Sequence, residues 1–95
     1  MSDLWLGSSS IPAFDDVEPD KAQALRLLEE AAEAYGAWQL WWMKPCEEHR
    51  QLVVDEVCDM FQEGANLLTA MGVDSIESAM IRMRERNEAR GREYS

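Results

Sequence analysis

The feature that most constrains the fold is a helix-favouring composition that is broken at only two points. From Pro19 to about Met43, the chain is dominated by Ala, Leu, Glu, Gln and Lys and lacks the alternation that is typical of strands. Lys44-Pro45 ends this segment, because a residue that precedes proline avoids the α region. Gly72 is the second break, since glycine is a common helix C-terminal cap.

Three helices follow from these breaks. The first begins at Pro19, which suits an early helical position where no amide donor is needed. The second has Pro45 near its first position and runs to about Met71. The third starts with Asp74 and Glu77 in a capping-box-like pattern and ends near residue 91. The predicted fold class is all-α, with three main helices.

The first helix has more apolar surface than the remainder of one chain of this size can bury. Its apolar residues lie on two sides, with Leu25, Leu28 and Ala32 on one and Leu27, Ala31, Ala34 and Trp38 on the other. The second helix has one apolar stripe, formed by Val53, Val57, Met60, Phe61, Gly64, Leu68 and Met71. Because the first helix must be covered from more than one direction, we expect a homodimer or a dimer of dimers, with helical bundles shared between subunits.

Length and charge narrow the class of protein. The chain has 95 residues, enough for one small domain, and its formal net charge of −10 argues against nucleic-acid binding, which needs a basic surface. No targeting segment is visible, and the most apolar stretch, Ala37 to Met43, is too short to span a membrane. We therefore expect a soluble cytoplasmic protein.

Cys46 and Cys58 are expected to be reduced thiols, with Cys58 packed as a small hydrophobe.

Residues 1–15 differ in composition from the remainder. They mix Gly, Ser and Pro with isolated large apolar side chains, which include Trp5 and Phe14. This composition predicts an irregular arm that either drapes over the body through these two aromatic residues or is loose. The predicted helical domain is residues 16–95.

Two acidic sets carry the strongest chemical signal. The first is Glu29, Glu30 and Glu33 on the first helix, and the second is Glu56, Asp59 and Glu63 on the second helix. Their spacing places the carboxylates of each set on one helix face. Packing of the neighbouring apolar stripes would bring both sets to one edge, where hard oxygen ligands suit Mg²⁺. The alternative is two solvated acidic faces, although such faces usually mix signs and only Lys21 and Arg26 lie near the first set.

The order of the short motifs resembles a known family. Glu29-Glu30-Ala31-Ala32-Glu33 followed by Glu56-Val57-Cys58-Asp59 is similar to the E-E-x-x-E and E-x-x-D signatures of the MazG-like proteins, within the all-α nucleoside triphosphate pyrophosphohydrolases. Arg86-Asn87-Glu88-Ala89-Arg90-Gly91 is similar to the basic element that closes many members. The resemblance spans roughly residues 22–91.

The resemblance implies Mg²⁺-dependent cleavage of a ribo- or deoxyribonucleoside triphosphate to the monophosphate and pyrophosphate, with Mn²⁺ as a possible substitute. Glu30, Glu33, Glu56 and Asp59 would hold the metal, and Glu29 would ligate or support it. A second interpretation is phosphoribosyl-ATP pyrophosphohydrolase, which belongs to the same superfamily and acts on a different substrate. A third is a non-catalytic helical dimer that acts as a regulator or interaction module.

Further residues are candidates for contact with the substrate. Arg86 and Arg90 share a helix face with Asn87 adjacent, and they match the phosphate-binding element of the family. Asn66 lies on the acidic side of the second helix and is a candidate for contact with sugar or phosphate. Trp38, in a cluster that reaches Trp42, either stacks on a nucleobase or forms a subunit contact.

Overall fold

A computed structural model describes residues 11–94 of the chain and contains three α-helices. They are α1 (Lys21–Met43), α2 (Glu47–Ala70) and α3 (Glu77–Ala89). No strand occurs within residues 11–94, so the predicted all-α class is confirmed. Trp5 lies outside the described residues.

The described residues form two compact units. Residues 11–72 hold α1 and α2, and residues 73–94 hold α3. The candidate metal ligands all belong to the first unit.

The N-terminus of α1 is fixed by a side-chain cap. Asp20 has an extended backbone, and its carboxylate accepts a hydrogen bond of 2.9 Å from the Gln23 backbone N–H. Such a cap stabilises a helix by about 1 kcal/mol. The prediction that the helix begins at Pro19 is therefore wrong by two residues, because the chain turns into the helix only after Asp20.

Both ends of α2 lie close to the predicted positions. The helix begins at Glu47, two residues after Pro45, which the sequence placed near its first position. Gly72 confirms the predicted stop: its φ is +83°, in the left-handed region that favours glycine, and its N–H donates to the Thr69 carbonyl at 2.9 Å.

The ends of α3 differ in how well the sequence predicted them. The capping box at Asp74 and Glu77 is wrong, because Ile76 is the N-cap residue and makes no side-chain cap. Gly91, with φ +86°, ends the helix close to the predicted position. The Arg92 N–H donates to the Asn87 carbonyl at 2.9 Å, as in a Schellman motif.

Helices α1 and α2 form an antiparallel hairpin, since residues later in α1 contact residues earlier in α2. Glu30 lies beside Glu56, and Gln23 bonds to Glu63. Buried and half-buried positions recur every three or four residues along both helices, and we call this contact line the seam. It includes Gln23, Leu27, Glu30, Ala34, Ala37 and Trp41 on α1, and His49, Val53, Glu56, Met60, Glu63 and Leu67 on α2.

The seam is more polar than the sequence predicted. Among residues 11–94, Ala37, at 4% exposure, is the only buried hydrophobic residue. Val53 and Met60 of the predicted α2 stripe are half-buried, but Phe61, Leu68 and Met71 are exposed. The stripe therefore does not face α1 along its whole length, because α2 turns Glu56 and Glu63 toward α1 and leaves these three side chains outside the hairpin.

Both cysteines are free thiols, as predicted, with Cys46 half-buried and Cys58 exposed. The prediction that Cys58 packs as a small hydrophobe is wrong, since its position on α2 lies on the side turned away from the seam. No helix within residues 11–94 is long and apolar enough to cross a membrane.

Candidate metal centre between helices α1 and α2

Three carboxylates from the two acidic sets meet at the middle of the hairpin. One oxygen from each of Glu30, Glu33 and Glu56 can be chosen so that all three lie within 4.8 Å of one another. Glu30 and Glu33 are one helical turn apart on α1, and the antiparallel register places Glu56 of α2 opposite them. We call these three residues the carboxylate cluster.

The cluster is partly withdrawn from solvent. Glu30 and Glu56 are half-buried seam positions, whereas Glu33 is exposed at the edge. One oxygen each of Glu30 and Glu56, Oε2 in both, is shielded from solvent and has no hydrogen-bond partner within residues 11–94. Shielded polar atoms usually have partners, so these two oxygens are suited to a ligand that supplies positive charge.

Proximity and burial favour the protonated form of Glu30. Partial burial, a hydrogen bond with Glu33 and the negative charges of Glu33, Asp59 and Glu56 raise the pKa of Glu30 from 4.5 to about 7. These causes are the ones expected when carboxylates share a site without a cation.

Glu56 experiences a similar environment. Partial burial is the largest cause that raises its pKa, followed by a hydrogen bond with Glu33 and the charges of Glu33, Asp59 and Asp55. Ionisation of the cluster is therefore unfavourable unless a cation binds there.

No basic side chain of the first unit, residues 11–72, forms an ion pair with the cluster. The ion pairs within residues 11–94 join Arg50 to Glu47 at 3.0 Å and Arg84 to Glu88 at 3.7 Å, and neither involves a cluster residue. Both pairs are exposed and of the local helical type. The cluster consequently keeps its full negative charge when it ionises.

The remaining predicted ligands lie outside the three-oxygen group. Asp59 is exposed, one turn beyond Glu56 on α2, and it is close enough to raise the pKa of both Glu30 and Glu56 by its charge. Glu29 is exposed on α1, next to Glu30 in sequence.

Beyond the cluster, the seam continues as a set of side-chain amides around Glu63. The Gln23 Nε2 donates to one Glu63 oxygen at 2.8 Å, and the Asn66 Nδ2 donates to the other at 3.3 Å. Glu63 thus has both oxygens engaged, unlike the shielded oxygens of Glu30 and Glu56. The hydrogen bond from Gln23 to Glu63 was not predicted. In the sequence, Gln23 is marked only by its position among the apolar residues near the start of the first helix.

Asn66 anchors the segment that precedes α1. Its Oδ1 accepts the Phe14 backbone N–H at 3.1 Å and the Gln62 Nε2 at 3.0 Å. The Gln62 Nε2 also donates to the Pro12 carbonyl at 2.8 Å. Part of the predicted arm therefore lies on α2, held by its backbone, while the Phe14 side chain is exposed. We call the bonds made by Gln23, Gln62, Glu63 and Asn66 the amide network.

The amide network limits what Asn66 can do. Its side chain is fully buried, and both of its polar atoms are engaged within the protein. Contact with sugar or phosphate, as proposed from the sequence, would require residues 12–14 to leave α2.

The predicted phosphate-binding residues belong to the second unit. Arg86 lies in the last turn of α3, and Arg90 is its exposed C-cap. Asn87 is half-buried, and its Nδ2 donates to the Tyr94 hydroxyl at 2.8 Å. The Arg84 guanidinium lies over the same tyrosine ring, 4.9 Å from its centre, so the tail folds back on α3.

Trp38 is part of an aromatic stack on α1. Its ring lies 5.9 Å from that of Tyr35 and 5.6 Å from that of Trp42, with interplanar angles of 18° and 22°. All three rings are exposed. The stack lies along one helix side, about 100° around the axis from the seam.

In comparisons with known proteins, no protein-family model, curated protein or solved structure matches this chain.

Proposed function

We propose that this protein is a Mg²⁺-dependent nucleoside triphosphate pyrophosphohydrolase that acts as a homodimer or dimer of dimers in the cytoplasm. The observation that carries the proposal is the carboxylate cluster, in which oxygens of three carboxylates lie within 4.8 Å of one another. Two of these carboxylates, Glu30 and Glu56, each have a shielded oxygen without a hydrogen-bond partner among residues 11–94. The short motifs that include Glu30, Glu33 and Glu56 are those on which the MazG-like resemblance rests.

The donor set fits a hard divalent cation. All the nearby candidate ligands are carboxylate oxygens, which Mg²⁺ and Mn²⁺ accept, while zinc and softer metals favour His or Cys. A cation would also neutralise the charges that raise the pKa values of Glu30 and Glu56. In the proposal, Glu30, Glu33, Glu56 and Asp59 hold the ion, and Glu29 supports them.

A bound Mg²⁺ supplies Lewis-acid activation of water and neutralises charge that develops on phosphate. The chain's own contribution is to hold the carboxylates in place and to shield two of their oxygens from water. Glu30 must lose its proton before it can bind a cation, so the affinity for Mg²⁺ should rise as the pH passes 7. Arg86, Asn87 and Arg90 are the proposed phosphate contacts.

Pyrophosphate release from a panel of ribo- and deoxyribonucleoside triphosphates, with and without Mg²⁺, tests the proposal. We expect Mg²⁺-dependent release by the wild-type chain. Glu33→Gln and Asp59→Ala should each reduce turnover at least 100-fold, because they remove proposed ligands on which charge stabilisation depends. Glu48→Gln is the matched control, since Glu48 is an exposed carboxylate of α2 outside the cluster, and it should retain turnover.

The possible outcomes separate the candidate functions. Cleavage of phosphoribosyl-ATP but of no nucleoside triphosphate would favour the related pyrophosphohydrolase. Absence of turnover with every substrate, together with no binding of Mg²⁺ or Mn²⁺, would favour the non-catalytic helical dimer. Unchanged turnover in both Glu33→Gln and Asp59→Ala would refute the ligand assignment.

A further inference from the structure

The positive charge of the chain is concentrated on α3 and the residues that follow it. Residues 82–92 contain five of the nine lysines and arginines of the chain and only two acidic residues. Because the whole chain has a net charge of −10, an anion meets the least repulsion at this segment. The side chains around it are therefore the ones to search for an anion site.

Tyr94 holds the C-terminal tail against α3. Gly91 has a φ of +86°, and the Arg92 N–H donates to the Asn87 carbonyl at 2.9 Å, so the chain reverses its direction directly after the helix. The Tyr94 hydroxyl then accepts a hydrogen bond of 2.8 Å from the Asn87 Nδ2. The Arg84 guanidinium lies over the tyrosine ring, 4.9 Å from its centre. We call Arg84, Asn87 and Tyr94 the tail contact.

Two hydrogen-bond donors of the tail contact remain for a ligand. A side-chain amide has two N–H groups, and Asn87 uses one of them on Tyr94. Because Asn87 is the donor, the Tyr94 hydroxyl keeps its own proton for another acceptor. A hydroxyl that accepts a hydrogen bond is polarised and donates more strongly in turn. The nitrogen and the oxygen are 2.8 Å apart, close enough for the oxygens of one phosphate group to contact both.

Guanidinium groups flank these two donors. Arg84 is three residues before Asn87 and Arg90 is three residues after it, so each lies one helical turn away and within about 60° of it around the axis. The Tyr94 ring holds Arg84 by a cation–π contact. The ion pair of Arg84 with Glu88 is exposed and 3.7 Å long, so it competes only weakly for the guanidinium. Arginine donates strong, charge-assisted hydrogen bonds to phosphate oxygens.

The tail contact is open to solvent. Tyr94 is 43% exposed, and its hydrogen bond with Asn87 lies at the surface. An anion from solution can therefore reach the hydroxyl without displacing any part of the second unit. Exposed contacts of this kind stabilise a fold only weakly, because water competes for the same groups. A tyrosine that is held by two such contacts and stays accessible is better suited to ligand binding than to stabilising the tail.

We infer that Tyr94 and Arg84 are phosphate-binding residues. The Tyr94 hydroxyl donates to a phosphate oxygen and orients the Asn87 amide beside it, while the ring positions the Arg84 guanidinium for the same group. The inference rests on the proposed function for the identity of the ligand, which is the triphosphate of the substrate or the product pyrophosphate. It adds two residues to the contacts at Arg86, Asn87 and Arg90 that the sequence motif had singled out.

Binding of pyrophosphate to the full chain, without metal and at constant ionic strength, tests the inference. Calorimetry gives the dissociation constant, and the NMR shift of the Asn87 side-chain amide locates the site. Tyr94→Phe, which keeps the ring and removes the hydroxyl, and Arg84→Gln should each raise the dissociation constant roughly fivefold, because each removes a donor to a charged group. Arg82→Gln is the matched control, since it removes the same charge from an exposed α3 position turned away from Asn87, and it should change the constant less than about twofold. In turnover assays, Tyr94→Phe should raise KM and change kcat much less.

A wild type that binds no pyrophosphate would overturn the inference. So would equal weakening by Arg82→Gln, which would indicate a general effect of charge, or a Tyr94→Phe variant with a lower melting temperature and unchanged binding, which would indicate a purely structural tyrosine. Binding of pyrophosphate that depends on Tyr94, in a chain that hydrolyses no nucleoside triphosphate, would contradict the proposed function and leave the phosphate site standing. Hydrolysis with the same KM and the same pyrophosphate affinity in Tyr94→Phe would do the reverse.

Discussion

At the scale of single residues, Glu30 stands where a helical hairpin ordinarily places an apolar side chain. It lies between Leu27 and Ala34 on the seam, half-buried, with one shielded oxygen that has no hydrogen-bond partner in the described part of the chain. Water-excluded carboxylates are costly in the ionised form, and the neighbouring acids add repulsion. Glu30 therefore weakens the metal-free fold at neutral pH and is suited to accept a cation.

The raised pKa of Glu30 predicts a pH dependence of stability. Between about pH 4.5 and pH 7, folded Glu30 holds a proton that the unfolded chain has lost. The free energy of unfolding should therefore fall as the pH rises through this window, in the absence of divalent metal. Glu30→Gln should reduce the fall and raise the melting temperature near pH 8, as measured by circular dichroism across a pH series.

Glu48→Gln is again the control for this measurement, because it removes one carboxylate from an exposed site on α2. Its pH profile should follow that of the wild type. An identical fall in Glu30→Gln and the wild type would contradict the assignment of the pH dependence to Glu30.

At the scale of elements, the segment before α1 is bound to the hairpin by polar contacts. The Phe14 N–H and the Pro12 carbonyl both bond to side chains of α2, and Asp20 then caps α1. Asn66 is the centre of this arrangement because it is fully buried and bonds to both the segment and Glu63. The backbone groups of this irregular segment thus find hydrogen-bond partners in side chains of α2, without belonging to a helix or strand.

Asn66→Ala should detach this segment and lower the free energy of unfolding by about 1–3 kcal/mol, the cost of leaving buried polar groups without partners. Exchange of the Phe14 amide hydrogen, measured by NMR, should accelerate strongly, while amides in the middle of α1 change less. Gln51→Ala is the control, since the bond from Gln51 to Asp55 is exposed, and it should cost less than about 0.5 kcal/mol. Unchanged Phe14 exchange in Asn66→Ala would argue against the anchor.

At the scale of the whole molecule, the excess of acidic residues and the small amount of buried apolar surface both reduce the stability of the folded chain. Residues 11–94 contain one buried hydrophobic residue, Ala37, and the chain carries a net charge of −10. Self-repulsion disfavours the compact state, so a cation at the carboxylate cluster would stabilise it.

Thermal melting can separate specific cation binding from general screening. Mg²⁺ should raise the melting temperature more than NaCl of equal ionic strength, because screening acts on all charges and ligation acts on the cluster. The excess should disappear in Glu56→Gln and persist in Glu48→Gln. Equal shifts from the two salts in the wild type would indicate screening alone.

The helices were predictable because their signals are local. Proline at 45 and glycine at 72 and 91 restrict the backbone wherever the remainder of the chain lies, so the ends were placed to within a few residues. The predictions at Pro19 and at the α3 capping box were wrong because other side chains meet the first amides of these helices. Asp20 caps α1, and the first N–H of α3, that of Glu77, donates to the Ser75 hydroxyl.

The sequence by itself determined the helical class, the breaks between helices and the spacing that puts carboxylates on one face of each helix. Only the tertiary structure decided which face of α2 meets α1, and therefore that Glu56 comes beside Glu30 while Phe61 is exposed. The reason is that helical periodicity describes a helix about its own axis. Contacts between residues far apart in the chain decide which apolar side chains of each helix lie on the seam and which lie outside it.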